Sequence, residues 1–366
     1  MDTCDILIVG GGPAGSTCAE RLGKAGLDVL LLDKEVFPRD KPCAGWITPK
    51  VLAVLSINKE EYCQGRVLQS INGFRTSLMH GPEVVTHYGT TVSYGIRRRE
   101  FDHFLLKRSG VRQLLGEPVT ALERHNGGWL VNGRIRAKLV VGAGGHFCPV
   151  ARLLGAKIGQ EDVIVAQVTE FAMDSELENL CHITADTPAL FFSRDLKGYG
   201  WLFRKGRFIN FGLGRMDRKH LVPHTRDFRK FLEKRGYLPA GTAGMFRGHA
   251  YLLYARQGGR RSVTDGALLI GDAAGLSYPQ SGEGILPAIE SAILAADTIM
   301  AANGDYRIVN LAPYAAGLAS CFGGSSELPS SPFASVLLRH IGARLFSSHW
   351  FARHVVLDRW FLHTNL

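Results

Sequence analysis

The first 34 residues constrain the fold more than any other part of the chain. Residues 6–9 form a short apolar run, typical of a strand buried on both faces of a parallel sheet. Gly10, Gly12 and Gly15 follow in a G-x-G-x-x-G pattern, where the strand is expected to give way to a helix. Glycines at these positions allow a tight turn, the close approach of a phosphate, and close packing of the helix on the strand. The stretch therefore predicts a dinucleotide-binding βαβ unit.

The second half of this unit contains the acidic residue that the pattern requires. Residues 29–32 are another apolar run, and Asp33 ends it eighteen residues after Gly15. A carboxylate at this place is expected to accept a hydrogen bond from a ribose hydroxyl. Because strand, glycines, helix, strand and acid occur in this order, a glycine-rich turn of ordinary function is the weaker interpretation.

The composition is that of a globular enzyme with an excess of positive charge. Of the 366 residues, 46% are hydrophobic and 21% are charged, and the net charge is +10. A chain of this length can bury a substantial core, as one large domain or two interleaved domains. The charge suits a pyrophosphate, an anionic substrate or an anionic membrane surface. Since no recognised nucleic-acid-binding module is present, no nucleic-acid partner is predicted.

The cysteines and the hydropathy pattern indicate where such a protein would act. The seven cysteines include no C-x-x-C pair and no metal-ligand spacing, so no metal site is predicted. An odd, scattered set of cysteines is typical of a reducing cytosol. No charge-free apolar run of about 18 residues occurs, so a membrane-spanning helix is not expected. The predicted location is cytoplasmic, with peripheral membrane association as an alternative.

A second constellation follows almost 260 residues after the first. Gly271 and Asp272 end an apolar run, and Gly282 and Gly284 precede a helix predicted to begin at Ile285. An aspartate at such a strand end can accept hydrogen bonds from the ribityl hydroxyls of a flavin. The positive end of the helix dipole would stabilise the negative charge that reduction places on the N1–C2=O edge of the flavin. Together the two constellations predict FAD as the resident dinucleotide.

These motifs resemble those of the glutathione-reductase-type flavoproteins related to p-hydroxybenzoate hydroxylase, and more narrowly those of the geranylgeranyl reductase family. KPCAGW at 41–46 is similar to the flavin loop of that family, and RREFD at 98–102 to its helix start. GYGWLFRKGRFINFGLG at 198–214 is similar to the segment that lines its substrate cavity. The resemblance implies a mixed α/β fold. A glutathione-reductase-type FAD-binding Rossmann domain would carry an inserted antiparallel sheet domain for the substrate and a C-terminal helical segment.

The hydrophobic pattern places boundaries on this organisation. The FAD-binding domain is predicted to be discontinuous, comprising residues 1–65, 96–158 and 260–310. The substrate-binding sheet domain is predicted to comprise residues 66–95 and 159–259, where apolar and polar residues alternate. Residues 311–366 are predicted to form the helical segment. Within the first domain, residues 98–109 are expected to form a helix and residues 119–124 a strand.

The cofactor contacts follow from the two constellations and from the resemblance. The residues expected to contact FAD are Gly10, Gly12, Pro13, Ala14, Gly15, Asp33, Lys34, Cys43, Ala44, Arg98, Val119, Gly271, Asp272, Gly282, Gly284 and Ile285. No second dinucleotide fingerprint is visible, so NAD(P)H, if used, would bind transiently. Ferredoxin or another electron donor remains an alternative.

Cys43 is the candidate catalytic residue. By the resemblance it lies beside the flavin ring, where a thiol could protonate a carbon or form part of the cavity wall. A small side chain that accommodates a tight turn is the alternative.

The substrate-binding candidates are Tyr199, Trp201, Phe203 and Arg204. The three aromatic residues alternate, so on a strand they share one face and can line the path of a long apolar substrate. Aromatic residues of an ordinary core are the alternative. Arg204 stands where the family usually has proline; it would place a cation beside these rings, although on an ideal strand it faces the other side.

The tail is helical, basic and aromatic from Pro332 onwards. One face of the predicted helix carries Ala334, Leu337, Leu338, Ile341, Leu345 and Ala352. Such a helix can lie on a membrane or cap the substrate domain, and packing is the favoured single role.

The sequence thus favours an FAD-dependent reductase of carbon–carbon double bonds in an isoprenoid or other lipophilic substrate. The main alternative is a flavin-dependent monooxygenase that hydroxylates an aromatic or polyketide substrate, since it shares the fold and no motif excludes it. A halogenase is less expected, because residues 60–106 contain no lysine to relay an oxidised halide. A non-catalytic flavin-binding protein is supported only by the basic tail and by Gly144, where the family usually has a carboxylate.

Overall fold

The computed structural model describes residues 2–156, 158, 161, 163–242, 244–254, 260–323 and 344–364. These residues belong to two compact units. The first unit comprises Met1–Asp40, Arg99–Asp162 and Tyr251–Ser326, and the second comprises Lys41–Arg98, Val163–Ala250 and Glu327–Leu366.

The secondary structure alternates between the two units. The helices are α1 (Pro13–Lys24), α2 (Pro49–Val54), α3 (Lys59–Tyr62), α4 (Arg98–Ser109), α5 (Pro149–Leu153), α6 (Ser175–Leu180), α7 (Leu221–Lys234), α8 (Ile285–Ala301) and α9 (Ile308–Phe322), with a C-terminal helix of π type at Phe351–Phe361. The strands are β1 (Asp2–Val9), β2 (Val29–Asp33), β3 (Trp46–Ile47), β4 (Leu68–Ile71), β5 (Gly73–Leu78), β6 (Val84–His87), β7 (Ser93–Ile96), β8 (Arg112–Leu115), β9 (Leu122–His125), β10 (Gly128–Val131), β11 (Ile135–Gly142), β12 (Ile164–Ala172), β13 (Ala189–Phe192), β14 (Gly198–Lys205), β15 (Phe208–Arg215), β16 (Arg247–Tyr251), β17 (Val263–Thr264) and β18 (Ala267–Leu269).

The first unit is built on an eight-stranded sheet whose central strands are parallel. The strand order is β17-β18-β11-β1-β2-β8, with β10 and β9 added as an antiparallel extension of β11. β1 pairs in parallel with both β11 and β2, so its residues are buried on both faces as the apolar run predicts. Ile6, Leu7 and Ile8 are fully buried. The nucleotide-binding fold predicted from the sequence is confirmed.

The second unit is built on a seven-stranded sheet with the order β16-β12-β15-β14-β13-β5-β6. Neighbouring strands are antiparallel along β12-β15-β14-β13 and at β5-β6, and β13 and β5 are parallel. A smaller three-stranded sheet, β3-β7-β4, lies in the same unit.

The two faces of the large sheet of the second unit differ in their covering. One face packs against α7, where Phe191, Phe211 and Leu202 meet Phe228 and Phe231 in the hydrophobic core. The approach is close, because a Cβ on Gly200 would lie 2.4 Å from the Phe228 ring. The opposite face carries the alternate residues of β14. We call this opposite face the aromatic face, defined by Tyr199, Trp201, Phe203, Phe192 and Phe74.

The chain divides at residues 40 and 99, where the sequence predicted boundaries at 65 and 96. Residues 41–65 group with the second unit because β3 pairs with β7, with Trp46 opposite Gly95. Residues 311–322, predicted to start the tail, belong to α9 of the first unit, where the buried Tyr314 hydroxyl donates to the Leu269 carbonyl at 2.7 Å.

The strand predicted at 119–124 is shorter than expected. β9 begins only at Leu122, because the Asn132 side chain accepts the backbone N–H groups of Thr120 and Ala121 at 2.8 and 3.2 Å. A side chain thus replaces a strand partner over these residues.

The described part of the tail packs on the aromatic face. Phe361 stacks on Trp46 with 5.2 Å between ring centroids, and Phe346 lies 4.7 Å from Phe192. The Tyr88 hydroxyl donates to Asp358 at 2.7 Å. Of the predicted helical face, Ala334, Leu337, Leu338 and Ile341 lie outside the described residues. Within the described ranges, no helix combines the length and apolarity needed to cross a membrane.

Candidate flavin and substrate sites

The turn between β1 and α1 has the geometry that a bound pyrophosphate requires. Gly10 has φ of +117°, which only glycine adopts readily, and a Cβ on Gly15 would lie 1.8 Å from the Gly10 carbonyl oxygen. Gly12 is different, because its Cβ would meet nothing closer than the Arg39 guanidinium at 3.7 Å. No side chain caps the N-terminus of α1. The first backbone N–H groups of that helix are therefore available to an anion.

Asp33 is buried at the end of β2 and is oriented by the backbone. Its Oδ2 accepts the Gly11 N–H at 2.6 Å and its Oδ1 accepts the Glu35 N–H at 2.9 Å. Each carboxylate oxygen can accept more than one hydrogen bond, so capacity remains for a ribose hydroxyl.

The late Gly271-Asp272 turn lies against the N-terminal fingerprint. A Cβ on Gly271, which has φ of +57°, would be 3.1 Å from the Ala14 Cβ and 3.2 Å from the Ala288 Cβ. The Ser291 hydroxyl accepts the Gly271 N–H at 3.0 Å. The fold thus brings together two motifs that are almost 260 residues apart in the sequence.

The start of α8 completes this group. The helix begins at Ile285, as the sequence predicts, and its N-cap residue Gly284 provides no side-chain hydrogen bond. A Cβ on Gly284 would lie 3.0 Å from Oδ1 of Asp272, so the carboxylate lies beside the open helix end. Gly282 has φ of +69° and packs on Tyr251, leaving no room for a side chain.

Arg260 holds the Gly271-Asp272 turn by hydrogen bonds to its backbone, a role that the sequence did not reveal. Its side chain is 3% exposed and pairs with Glu161 at 2.9 Å. The same guanidinium donates to the carbonyl oxygens of Asp272 and Ala273 at 3.3 and 2.7 Å. The only sequence signal was the pair of adjacent arginines, Arg260 and Arg261.

Arg39 is a second residue that sequence reasoning missed. Its guanidinium stacks over the Phe37 ring at 4.7 Å and pairs with the fully buried Asp102 at 3.0 Å. These contacts hold a cation beside Gly12, where the pyrophosphate is expected. The available signal was a single arginine just before the KPCAGW loop.

The other predicted cofactor residues fall into two groups. Pro13 and Ala14 form the first turn of α1, Lys34 is exposed after β2, and Val119 lies in the segment after β8, all in the first unit. Cys43, Ala44 and Arg98 belong to the second unit, and their contact with a cofactor remains a prediction.

The three predicted wall residues share the aromatic face, as their alternation requires. Trp201 and Phe203 are 6% and 1% exposed, and Tyr199 lies 6.1 Å from Trp201 between ring centroids. Trp46 packs on Phe203 at 5.7 Å, and Phe361 of the C-terminal helix packs on Tyr199 at 5.3 Å. The three side chains therefore form one continuous apolar surface, which Trp46 and the described part of the tail cover.

Arg204 does not belong to this wall, and its contact with a substrate stays a prediction. It projects from the opposite face of β14 and pairs with Glu178. No bulge turns it inward, since β14 and β15 pair without interruption from Gly198 to Lys205.

Cys43 lies in a loop that is fastened to the large sheet. Its Sγ accepts the Gly45 N–H at 3.3 Å, and its carbonyl oxygen accepts the Asn210 amide at 2.9 Å. Asn210 in turn accepts the Trp201 indole N–H at 2.8 Å. The candidate catalytic loop and the aromatic wall are thus two hydrogen bonds apart. Sequence reasoning did not single out Asn210.

Cys148 follows Gly144, the position where the family usually has a carboxylate, and its side chain packs in the core. It is fully buried, and a Cβ on Gly144 would lie 3.3 Å from its sulfur. Burial raises the pKa of this thiol, so it is held in the neutral form. Throughout the described part of the chain, no group of three His, Cys, Asp or Glu side chains is arranged to bind a metal ion.

Sequence comparison agrees with this geometry. Residues 8–38 match the model of an NAD(P)-binding Rossmann-like domain. The chain is 29% identical to a menaquinone reductase of Mycobacterium tuberculosis over 328 residues, which cover 81% of this chain and 77% of the relative. It is 28% identical to digeranylgeranylglycerophospholipid reductase 2 of Methanosphaera stadtmanae over 346 residues, covering 86% and 82%. Over most of its length the chain is therefore similar to reductases of isoprenoid lipids and quinones.

Solved structures agree with the fold described above. A geranylgeranyl bacteriochlorophyll reductase-like protein from Thermoplasma acidophilum matches 97% of this chain and 91% of its own, with a TM-score of 0.73 and 23% identity. A probable FAD-dependent monooxygenase from Pseudomonas aeruginosa matches with a TM-score of 0.67 and 19% identity, covering 96% and 98%. Reductases and monooxygenases of this fold are therefore distinguished by their sites, not by their topology.

Proposed function

We propose that this chain uses FAD to reduce carbon–carbon double bonds in an isoprenoid or other lipophilic substrate. Two relatives that share over four-fifths of this chain are named reductases, one of menaquinone and one of a digeranylgeranyl lipid. The observation that carries the proposal is the direct connection between an apolar wall and a cysteine loop, through Trp201, Asn210 and the Cys43 carbonyl.

The residues of the first unit fit FAD. The open space at Gly12, the uncapped N-terminus of α1 and the Arg39 cation suit the pyrophosphate. Asp33 suits the ribose, and Asp272 suits the ribityl chain. The N-terminus of α8 suits the N1–C2=O edge of the ring, whose negative charge on reduction the helix dipole stabilises. When bound in the reduced state, FAD supplies the hydride.

The residues of the second unit would hold and protonate the substrate. Tyr199, Trp201 and Phe203 bind the apolar chain along one strand face and exclude water from it. Cys43 provides the proton for the second carbon, because its sulfur accepts the Gly45 N–H and leaves the S–H free to donate. The double bond gains one hydride and one proton and is reduced, while the flavin is oxidised.

Two further features belong to this proposal. An external donor, NAD(P)H binding transiently or another reductant, returns the flavin to its reduced form, since a second nucleotide fingerprint is absent from the sequence. A lipophilic substrate and a net charge of +10 favour peripheral association with an anionic membrane.

The cofactor and Cys43 can be tested on the purified protein. Heat-released chromophore is expected to run as FAD by chromatography, and release of NAD(P) alone would contradict the proposal. In anaerobic turnover with unsaturated prenyl alcohols, Cys43→Ser is expected to slow flavin reoxidation more than it weakens substrate binding. Cys63→Ser is the matched control, because Cys63 is an exposed thiol of the same unit. Equal turnover in Cys43→Ser and the parent would remove Cys43 from the mechanism.

A further inference from the structure

Lys205 is a fully buried lysine whose three donor positions are all taken. Its ammonium donates to the carbonyl oxygens of Ala44 and Ile96, each at 2.9 Å, and pairs with Glu170 at 2.5 Å. A lysine ammonium has three donors and no acceptor. With all three engaged and the side chain 0% exposed, Lys205 has no free proton to deliver to a substrate. Its function must lie in the groups that it holds.

The backbone around Lys205 leaves space for it at two glycines. A Cβ on Gly45 would lie 2.6 Å from Nζ of Lys205, and a Cβ on Gly95 would lie 2.8 Å from its Cγ. Gly45 also has φ of +64°, and its Cβ would meet the Ile96 carbonyl oxygen at 2.2 Å. The loop and β7 therefore have room for the Lys205 side chain only because Gly45 and Gly95 lack a Cβ.

Asn210 holds the preceding carbonyl of the same loop. Its amide donates to the Cys43 carbonyl oxygen and to Oε2 of Glu170, both at 2.9 Å. The Cys43 and Ala44 carbonyls are consecutive, and each is held by a donor that also contacts Glu170. The two donors come from adjacent strands, β14 and β15.

Glu170 is kept ionised between these donors. Burial would raise its pKa, but Lys205, Asn210 and Arg97 together lower it below its ordinary value. Arg97 contributes a contact of 3.2 Å to Oε1 and is itself fixed over the Phe208 ring at 3.5 Å. The carboxylate of Glu170 therefore balances the positive charge of the buried Lys205 ammonium.

We propose that Lys205, with Glu170 and Asn210, is a positioning residue that fixes the Cys43–Gly45 backbone and so sets the direction of the Cys43 thiol. The reaction role of this positioning rests on the proposed function, whereas the fixing of the loop does not. Buried ion pairs can often be replaced by uncharged residues at little cost in stability. Here the replacement also removes the donor to the Ala44 carbonyl of the loop and to the Ile96 carbonyl of β7. The order of the loop is therefore expected to fall even where the free energy of unfolding changes little.

The test compares Lys205→Met and the double variant Lys205→Met, Glu170→Gln with the parent, all in the flavin-loaded protein. The double variant removes both charges of the Lys205–Glu170 pair, so it keeps the test valid if the single variant fails to fold. Arg97 loses its carboxylate partner but is 18% exposed and keeps its contact with the Phe208 ring. Arg229→Met is the control, because it removes a cation from an ion pair on α7 of the same unit without touching the loop. Two readouts need no substrate: amide hydrogen exchange of the peptide containing residues 42–46, and alkylation of Cys43 followed by peptide mapping.

In the folded double variant, loop exchange and Cys43 alkylation are expected to rise at least about tenfold, since hydrogen bonds to a charged donor are lost. Alkylation of Cys63 should stay at the parent rate, and Arg229→Met should change neither loop readout. Parent-like loop exchange in a folded double variant would overturn the proposal.

The turnover arm separates this inference from the proposed function. With a prenyl substrate, the variants are expected to lose kcat while KM changes much less, because the thiol direction is lost and the wall is kept. If amide exchange of the loop rises but kcat is unchanged, the role of Lys205 in the reaction is overturned. Failure of the parent itself to reduce any prenyl substrate would overturn the proposed function and leave the loop readouts to decide this inference.

Discussion

The indole N–H of Trp201 donates a hydrogen bond to Oδ1 of Asn210 at 2.8 Å. Trp201 belongs to the apolar wall, whereas the amide of Asn210 holds the carbonyl of Cys43. A change in the packing of Trp201 can therefore reach the cysteine loop through one side chain. This relationship gives Trp201 two separable roles, a contact surface and a hydrogen-bond donor.

Trp201→Ala and Trp201→Phe should separate those roles. Trp201→Ala is expected to weaken the binding of a prenyl substrate by about 1–3 kcal/mol, the scale of a lost large apolar contact. Trp201→Phe keeps most of that surface and removes only the N–H, so binding should fall much less. Equilibrium titration of the flavin-loaded protein measures both. Unchanged affinity in Trp201→Ala would mean that the substrate binds elsewhere.

Asp272 is expected to retain the cofactor. Asp272→Ala removes a carboxylate acceptor beside the α8 N-terminus, so the flavin should dissociate more readily during dialysis or gel filtration. Asp297→Ala is the control, because it removes a carboxylate from α8 itself, in an exposed ion pair with Arg21. The flavin-to-protein absorbance ratio reports retention. Equal retention in both variants would argue against a contact between Asp272 and the ribityl chain.

Local sequence patterns were sufficient to predict the nucleotide-binding fold of the first unit. The glycines at 10, 12 and 15, Asp33, the helix at 98–109 and the start of α8 at Ile285 are short-range features, and each depends on a few neighbouring residues. The alternation of Tyr199, Trp201 and Phe203 likewise fixed their shared face.

Features that depend on strand pairing between distant segments could not be predicted. The loop at 41–46 groups with the second unit only because β3 pairs with β7. Lys205 and Glu170 are charged residues on separate strands, and nothing local indicates that they meet inside the unit. Arg204 stands among the aromatic residues in the sequence, but the period of the strand places it on the other face, as the absence of a bulge between Gly198 and Lys205 shows.

The described C-terminal helix is expected to be structural. Deleting residues 332–366 exposes Trp46, Phe192 and Tyr199 by removing Phe361 and Phe346, and it leaves Tyr88 without Asp358. The truncated protein should therefore bind a hydrophobic dye and unfold at a lower temperature than the parent. A truncated protein with the parent melting temperature that leaves the membrane fraction would instead assign the tail to membrane binding.

The contacts of the Asp195 carboxylate predict that the protein loses stability in acid. Burial raises its pKa, but the nearly buried Arg215 at 2.6 Å, the Ser193 hydroxyl and the Lys197 N–H outweigh this effect and hold the pKa well below the ordinary value. Because the pKa of Asp195 is lower in the folded protein than in the unfolded chain, its ionised form stabilises the fold at pH values above the unfolded-state pKa of about 3.9. This stabilisation is lost as the pH falls below that value.

Asp195→Asn measures this contribution. At pH 7 the variant should be less stable than the parent by about 1.5–3 kcal/mol, the range for hydrogen bonds to charged groups. The difference should be the same at about pH 5 and should narrow only below about pH 4. Urea unfolding at each pH gives the two free energies of unfolding. A difference that narrows between pH 7 and pH 5 would contradict the assignment.

The most direct test of the proposed reduction is anaerobic reoxidation of the reduced enzyme by an alkene. The flavin is photoreduced without oxygen and mixed with unsaturated prenyl alcohols and prenyl glycerol ethers in detergent, each compared with its saturated analogue. We predict that the oxidised-flavin absorbance returns only with the unsaturated compounds and that the product gains two hydrogen atoms for each double bond reduced. If no unsaturated compound reoxidises the flavin until oxygen is admitted, and the product then contains a new oxygen atom, the enzyme is a monooxygenase and the account is wrong.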